Sequence, residues 1–238
     1  MSIAGVNSFR SVVAKKNRTE TLVTKKVSVV LSPFMEVKDR ILLKAHELFN
    51  RYGIRSVSMD DIAAQLGMSK KTLYQYYVDK EELVAGVFLT ILEGSRTRCL
   101  SDKKLADNAV HEVFMAYDMM QEMFEKMNPV VIFDLQKYHP AIYSKFKEFK
   151  QNFLYKVIKS NLENGIKEEL YREDIDSDIL TRFRIESVML PFDTEVFPNN
   201  RTHLLHIEQQ LTEHFLYGLC TAKGEKLIQK YKTQRTKK

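Results

Sequence analysis

The sequence predicts an all-α protein built from two helical domains. Glycine and proline are scarce, 8 and 5 in 238 residues, which leaves few tight turns of the kind an all-β fold needs. Leu, Met, Lys, Glu and Gln are abundant, and all are good helix formers. From Val37 onward, apolar residues recur at steps of three and four, the mark of a helix with one buried face. At 44% apolar and 11% aromatic, the chain can bury a real core.

Residues 1–34 show no sustained helical period and carry six basic residues against Glu20. They read as a flexible basic arm, in which "KKVSVVL" could pass for a short strand without a partner. Met35, where the patterning starts, is a second candidate start of translation. Val37, Ile41, Leu42, Ala45, Leu48, Phe49 and Tyr52 then line one face of a first helix, closed by Gly53. Ser58 is a natural N-cap, with Asp61 at capping-box distance, for a helix over 59–66 that buries Ile62, Ala63 and Leu66. Gly67 supplies the turn. Ser69 caps a short helix over 70–76. Asp79, with Glu82 three residues on, caps a longer one with Leu83, Val84, Val87, Phe88, Ile91 and Leu92 inward.

Beyond Arg98 the helices lengthen. Leu105, Ala109, Val113, Tyr117, Met120 and Phe124 fall on one side of the next helix. Asn128-Pro129 and Pro140 break the chain on either side of the short apolar piece "VVIFDL". A long helix over 141–164 turns Ile142, Phe146, Phe149, Phe153 and Val157 inward, with Gly165 as kink or stop. Helices over 175–190 and 200–219 follow. The expected division is a flexible arm at 1–34, a first helical domain with its linking helix at 35–98, a second helical domain at 99–222, and a fraying basic tail at 223–238.

The net charge of +6 is misleading as a sum. Residues 1–34 carry +5 and residues 223–238 carry +6, while residues 99–222 carry −6. Overall basicity therefore says little about nucleic acid, and any such claim must rest on local motifs. Cys99 and Cys220 lack metal or redox spacing and suit inert thiols in a reducing cytoplasm. No apolar run is long enough to cross a membrane. No GxSxG, P-loop, dinucleotide glycine pattern or HExxH occurs, so neither an enzyme nor a bound cofactor is expected. The histidines show no convincing metal spacing.

Two short helices joined by a glycine turn, behind a supporting helix, form a helix-turn-helix. Ile62, Leu66, Met68, Leu73 and Tyr76 fall where crossed helices share a core, Ala63 where close approach needs a small side chain, and Gly67 where positive φ is needed. The stretch "ILLKAHELFNRYGIRSVSMDDIAAQLGMSKKTLYQYYVDKEELV" resembles the DNA-binding domain of the TetR family of transcriptional regulators. The resemblance spans about residues 37–92. Lys71 departs from it where a small residue is frequent, and Tyr77 where Phe is usual. The resemblance implies that the helix after Gly67 enters the major groove of a double-stranded DNA operator, N-terminal residues nearest the bases. Ser69, Lys70, Lys71 and Thr72 occupy that end, and Gln75 and Tyr76 can reach a phosphate or a base edge. Ser58 can donate to a phosphate at the start of its helix. Lys80 matches the family's phosphate-clamping lysine. Lys70, Lys71 and Lys80 would then set affinity, and Thr72, Gln75 and Lys71 sequence preference. Leu73 and Tyr74 read as core.

The half after residue 100 matches no motif. The resemblance implies a helical domain that dimerises and encloses a ligand, hence a homodimeric repressor released from a palindromic operator by a small apolar ligand. Phe114, Tyr117, Met120, Phe124, Phe133, Tyr138, Phe146, Phe149, Phe153 and Phe183 are the candidates to line an adaptable cavity. Leu204, Ile207, Leu211 and Phe215 form the stripe expected at the dimer interface. The competing readings are control by a protein partner and a DNA-coating architectural role.

Overall fold

The computed structural model describes residues 36–198 and 200–236, less the side chains of 200–203 and 236. The basic arm expected at 1–34 lies outside the described residues. Eleven α-helices are described, and no strand is found among those residues. They are α1 Val37–Tyr52, α2 Met59–Leu66, α3 Lys70–Tyr74, α4 Lys80–Leu105, α5 Ala109–Glu125, α6 Val130–Tyr138, α7 Pro140–Phe149, α8 Tyr155–Lys167, α9 Ser177–Ser187, α10 Asn200–Leu219 and α11 Ala222–Thr236.

A first core joins α1 to α4. Ile41, Ala45, Ile62, Leu73, Leu83 and Val84 are almost wholly buried there, as the three-and-four spacing predicts. Val131 and Leu135 of α6 and Ile142 of α7 enter the same cluster. The first four helices are thus seated on the rest of the molecule through α6 and α7. A second core holds α5, α8, α10 and α11 around Val110, Leu162, Leu216, Leu219 and Ile228. A smaller third cluster gathers Met120, Phe124 and Leu204.

Several sequence expectations change here. α4 runs on to Leu105 through the boundary drawn at residue 98, and Asn108 caps α5 by accepting the His111 N–H. Leu105 is therefore an exposed helix end and not part of the α5 stripe. Tyr52 points outward under Arg51. Helices α7 and α8 form one rod interrupted by a π-helical turn, Lys150–Leu154. Gly165 lies within α8 and ends nothing: a Cβ there would stand 2.1 Å from the Tyr171 ring, so only glycine lets that ring pack. The expected fraying tail is helix α11, docked by Ile228 and Tyr231 and by Arg235, whose Nε lies 2.8 Å from Asp118 Oδ1. An isolated bridge, Tyr171 to Cys220, ties the α8–α9 connection to the α10–α11 corner.

Candidate nucleic-acid interface

The turn between α2 and α3 is fixed by local chemistry. Ser58 and Asp61 form a full capping box, with the Asp61 N–H donating to Ser58 Oγ and the Ser58 N–H to Asp61 Oδ2. The two Ser58 hydrogen bonds hold the Asp61 carboxyl below its ordinary value. Gly67 takes φ 65°, the left-handed conformation the turn requires. Ser69 Oγ accepts the Thr72 N–H at 3.0 Å and pairs with the Thr72 hydroxyl at 2.8 Å. Leu73 is fully buried and pins the helix.

This anchoring sorts the candidates. Lys71, Gln75 and Tyr76 face solvent on the outer side of α3 and its C-cap. Tyr74, expected in the core, is 40% exposed on the same surface, because α3 is one short turn and only Leu73 reaches inward. Tyr77 takes the inward place instead. Its ring is buried, its hydroxyl lacks a hydrogen-bond partner, and burial pushes it to about 12. Tyr76 is likewise displaced from the expected shared core to the surface. Ser58, Ser69 and Thr72 spend their hydroxyls on caps.

Two of the three candidate lysines are engaged within the protein. Lys70 Nζ lies 2.8 Å from Asp60 Oδ1 on the first turn of α2, and hydrogen bonding to Asp60 raises its pKa. Lys80 leans back toward the Arg55 carbonyl at 3.5 Å, and partial burial lowers its pKa against the pull of Asp134 and Asp61.

Arg55 connects this surface to the second half of the chain. Its N–H donates to Asp134 Oδ2 at 3.0 Å, and its guanidinium donates to the Tyr138 hydroxyl at 3.1 Å and lies over that ring. Asp134 is almost fully buried on α6. Next to it, His139 Nδ1 meets Glu81 Oε2 of α4, and the Asn128 N–H donates to the Asn50 carbonyl. Composition and periodicity give no sign of this joint, because its partners lie about eighty residues apart in sequence.

The aromatic candidates for an apolar chamber scatter. Phe146 packs edge-on against Phe88 in the first core, and Phe149 and Phe153 stack together under Arg96. Met120 and Phe124 belong to the third cluster. Phe133, Tyr138 and Phe183 are substantially exposed. Only Phe114 and Tyr117 line the notable cleft, about 690 Å³ between α4, α5, α10 and α11, and most of its walls are polar or charged. Those ten residues are thus spread over separate clusters among the described residues.

The interface stripe divides too. Leu204 and Phe215 are buried within the chain, while Ile207 and Leu211 remain partly open. Ile179 and Phe183 of α9 are exposed at 63% and 49%. Among the described residues, no helix is long and apolar enough to cross a membrane, and no group of three or more His, Cys, Asp or Glu could hold a metal ion.

Residues 41–87 match the model of the bacterial regulatory proteins of the tetR family. The HTH-type transcriptional regulator YvaF of Bacillus subtilis (strain 168) is 28% identical over 160 residues, 66% of this chain and 81% of that protein. The HTH-type transcriptional regulator SAB2452 of Staphylococcus aureus (strain bovine RF122 / ET3-1) is 26% identical over 192 residues, 78% of this chain and 92% of that one. A transcriptional regulator from Cytophaga hutchinsonii ATCC 33406 shares the fold with a TM-score of 0.63 at 18% identity, covering 77% of this chain and 98% of that one. A regulator from Saccharomonospora viridis, solved in complex with choline, gives 0.59 at 18% identity, covering 77% and 97%. With a capped helix-turn-helix at residues 58–77 inside the matched segment, residues 41–87 form a DNA-binding domain of the kind found in the TetR family of transcriptional regulators.

Proposed function

We propose that this protein is a homodimeric repressor that binds a near-palindromic operator through α3 and leaves it when a small molecule binds the C-terminal half. The observation that carries the reading is the outer face of α3. Leu73 fixes the helix from below, and Lys71, Gln75 and Tyr76 stand uncovered above it. A lysine and an amide suit guanine and adenine edges, and a phenol suits a phosphate.

The homodimer reading is supported by α9 and α10. Ile179 and Phe183 expose apolar surface on α9, and Ile207 and Leu211 of α10 are half-open. A two-fold axis through such a face would set two α3 helices about one DNA turn apart, roughly 34 Å. Helix α4 supports ligand control: it starts at Lys80, beside α3, and its far end lines the cleft with Arg98. Those residues are about 27 Å apart along one rod at 1.5 Å per residue. A ligand that prefers one tilt of α4 shifts the population between operator-bound and free states.

Footprinting on DNA selected from a random pool tests the reading. A protected site with two-fold symmetric half-sites about one turn apart is expected. Uniform protection without a consensus would replace repression by architectural coating.

A further inference from the structure

In sequence, the DNA surface proposed above ends at Lys80. In space it continues onto α6. Tyr76 and Val78 are exposed after α3, and Lys80 opens α4 with its Nζ 3.5 Å from the Arg55 carbonyl oxygen. Arg55 stands three residues ahead of Ser58, the cap of α2. Its guanidinium donates to the Tyr138 hydroxyl at 3.1 Å and lies 5.1 Å from the centre of that ring. Lys137, next to Tyr138 on α6, holds its ammonium 5.5 Å from the same ring and 5.3 Å from the ring of Phe133. Phe133 and Tyr138 meet edge to face. Two cations thus share one aromatic ledge, and all four residues are exposed.

The ledge is held against the DNA-binding helices at two points. Asp134, one turn before Tyr138, accepts the Arg55 N–H at 3.0 Å. His139, just after Tyr138, meets Glu81 in the first turn of α4, adjacent to Lys80. The end of α6 therefore has a fixed place beside Lys80.

The carboxylates around Lys80 and Arg55 have other partners. Asp61, Asp79 and Glu82 accept the backbone N–H groups of Ser58, Glu82 and Val78. Asp60 holds Lys70, Glu81 meets His139, and Asp134 is buried at the Arg55 backbone. Among the described residues, neither Arg55 nor Lys137 is ion-paired with a carboxylate. A cation resting on an aromatic face keeps its charge. The Tyr138 hydroxyl takes one guanidinium donor and leaves the rest of the fork to an oxyanion.

We infer that Arg55 and Lys137 bind the phosphate backbone of the operator beside the half-site met by α3, which makes α6 part of the DNA interface. The inference rests on the reading of α3 as the recognition helix and extends that surface to a residue outside the DNA-binding domain. Phosphodiester oxygens accept charge-assisted hydrogen bonds from a guanidinium and from an ammonium. The Tyr138 and Phe133 rings hold both cations in place beforehand, which reduces the ordering that binding has to impose. Such contacts fix position and affinity without reading sequence.

The test is the salt dependence of affinity, measured by fluorescence anisotropy with the full-length protein. The probes are the duplex selected from the random pool and a scrambled duplex of the same length. Lys137→Gln removes an exposed charge, and Lys137→Arg keeps it. Arg55→Gln retains the backbone N–H that Asp134 accepts. Lys226→Gln, exposed on α11, lowers the net charge equally and is the control. Circular dichroism checks folding, and Lys137→Gln carries the test alone if Arg55→Gln does not fold. Each glutamine variant on the ledge should make the plot of log affinity against log salt shallower by about 0.9 per bound protomer, on both duplexes. The ratio of selected to scrambled affinity should stay at the wild-type value. Lys137→Arg and Lys226→Gln should keep the wild-type slope. Unchanged slopes in the ledge variants, or an equal change in Lys226→Gln, would overturn the inference. A wild type that prefers neither duplex defeats the repressor reading, whereas a wild type that prefers the selected one, with slopes untouched by the variants, defeats only this inference.

Discussion

Lys70 and Asp60 are paired across the helix-turn-helix, Nζ to Oδ1 at 2.8 Å, with both side chains more than half exposed. A lysine at the head of the recognition helix thus meets a carboxylate of α2 before it meets a phosphate. Asp60 withholds one positive charge from non-specific binding, where each phosphate contact adds about 0.9 to the salt slope. Asp60→Asn should steepen the plot of log affinity against log salt on a random duplex by about that amount. It should also lower the ratio of operator to random affinity. An unchanged slope would mean that the pair opens at no cost when DNA arrives.

Asp134 joins the DNA-binding helices to α6 by accepting the Arg55 N–H at 3.0 Å. Removing a buried acceptor leaves its donor unpaired, which costs about 1–3 kcal/mol. Asp134→Ala should lower the urea midpoint by the equivalent of that energy while far-ultraviolet dichroism is retained. A midpoint equal to that of the wild type would show the joint to be incidental.

Leu211 is partly open on α10, one helical turn from Glu208 and Phe215, which are buried. Leu211→Glu should give a monomer in sedimentation velocity with helicity intact, and the operator affinity should collapse with it. A persistent dimer would move the interface elsewhere.

The α2 capping box predicts a pH dependence. Asp61 has its pKa depressed from 3.8 by the Ser58 hydroxyl first and the Ser58 N–H second. A carboxylate depressed on folding stabilises the native state above its unfolded value and loses that contribution as pH falls through the folded value. Ser58→Ala should lower the melting temperature by about 2–4 °C at pH 7. The gap should narrow below pH 3.8. An equal gap at both pH values would assign the loss to the backbone cap alone.

The caps and the turn were legible in the sequence because their chemistry is local. Ser58, Ser69 and Asp79 each accept the N–H of the residue three positions on, as their spacing predicts. Helical periodicity was equally clear, but it names the apolar face without naming what covers it. Phe146 therefore went to the DNA-binding core, Phe133 to solvent and Phe114 to the cleft. The four residues of the α10 stripe share one face, yet Leu204 and Phe215 are buried within the chain while Ile207 and Leu211 stay half-open. The Lys70–Asp60 pair, the Arg55–Asp134 joint and the Arg184–Glu208 pair depend on side chains brought together by the fold, which no local pattern encodes.

The most direct measurement of the central claim is the ratio of operator to scrambled-duplex affinity, at physiological salt, for the wild type and for Lys71→Ala and Tyr76→Ala. The wild-type ratio should be at least about 10³, as expected for a specific regulator. Each variant should lose operator affinity with its fold intact. A wild-type ratio near one, or variants that bind the operator as the wild type does, would contradict the assignment of the α3 face as the sequence-reading surface.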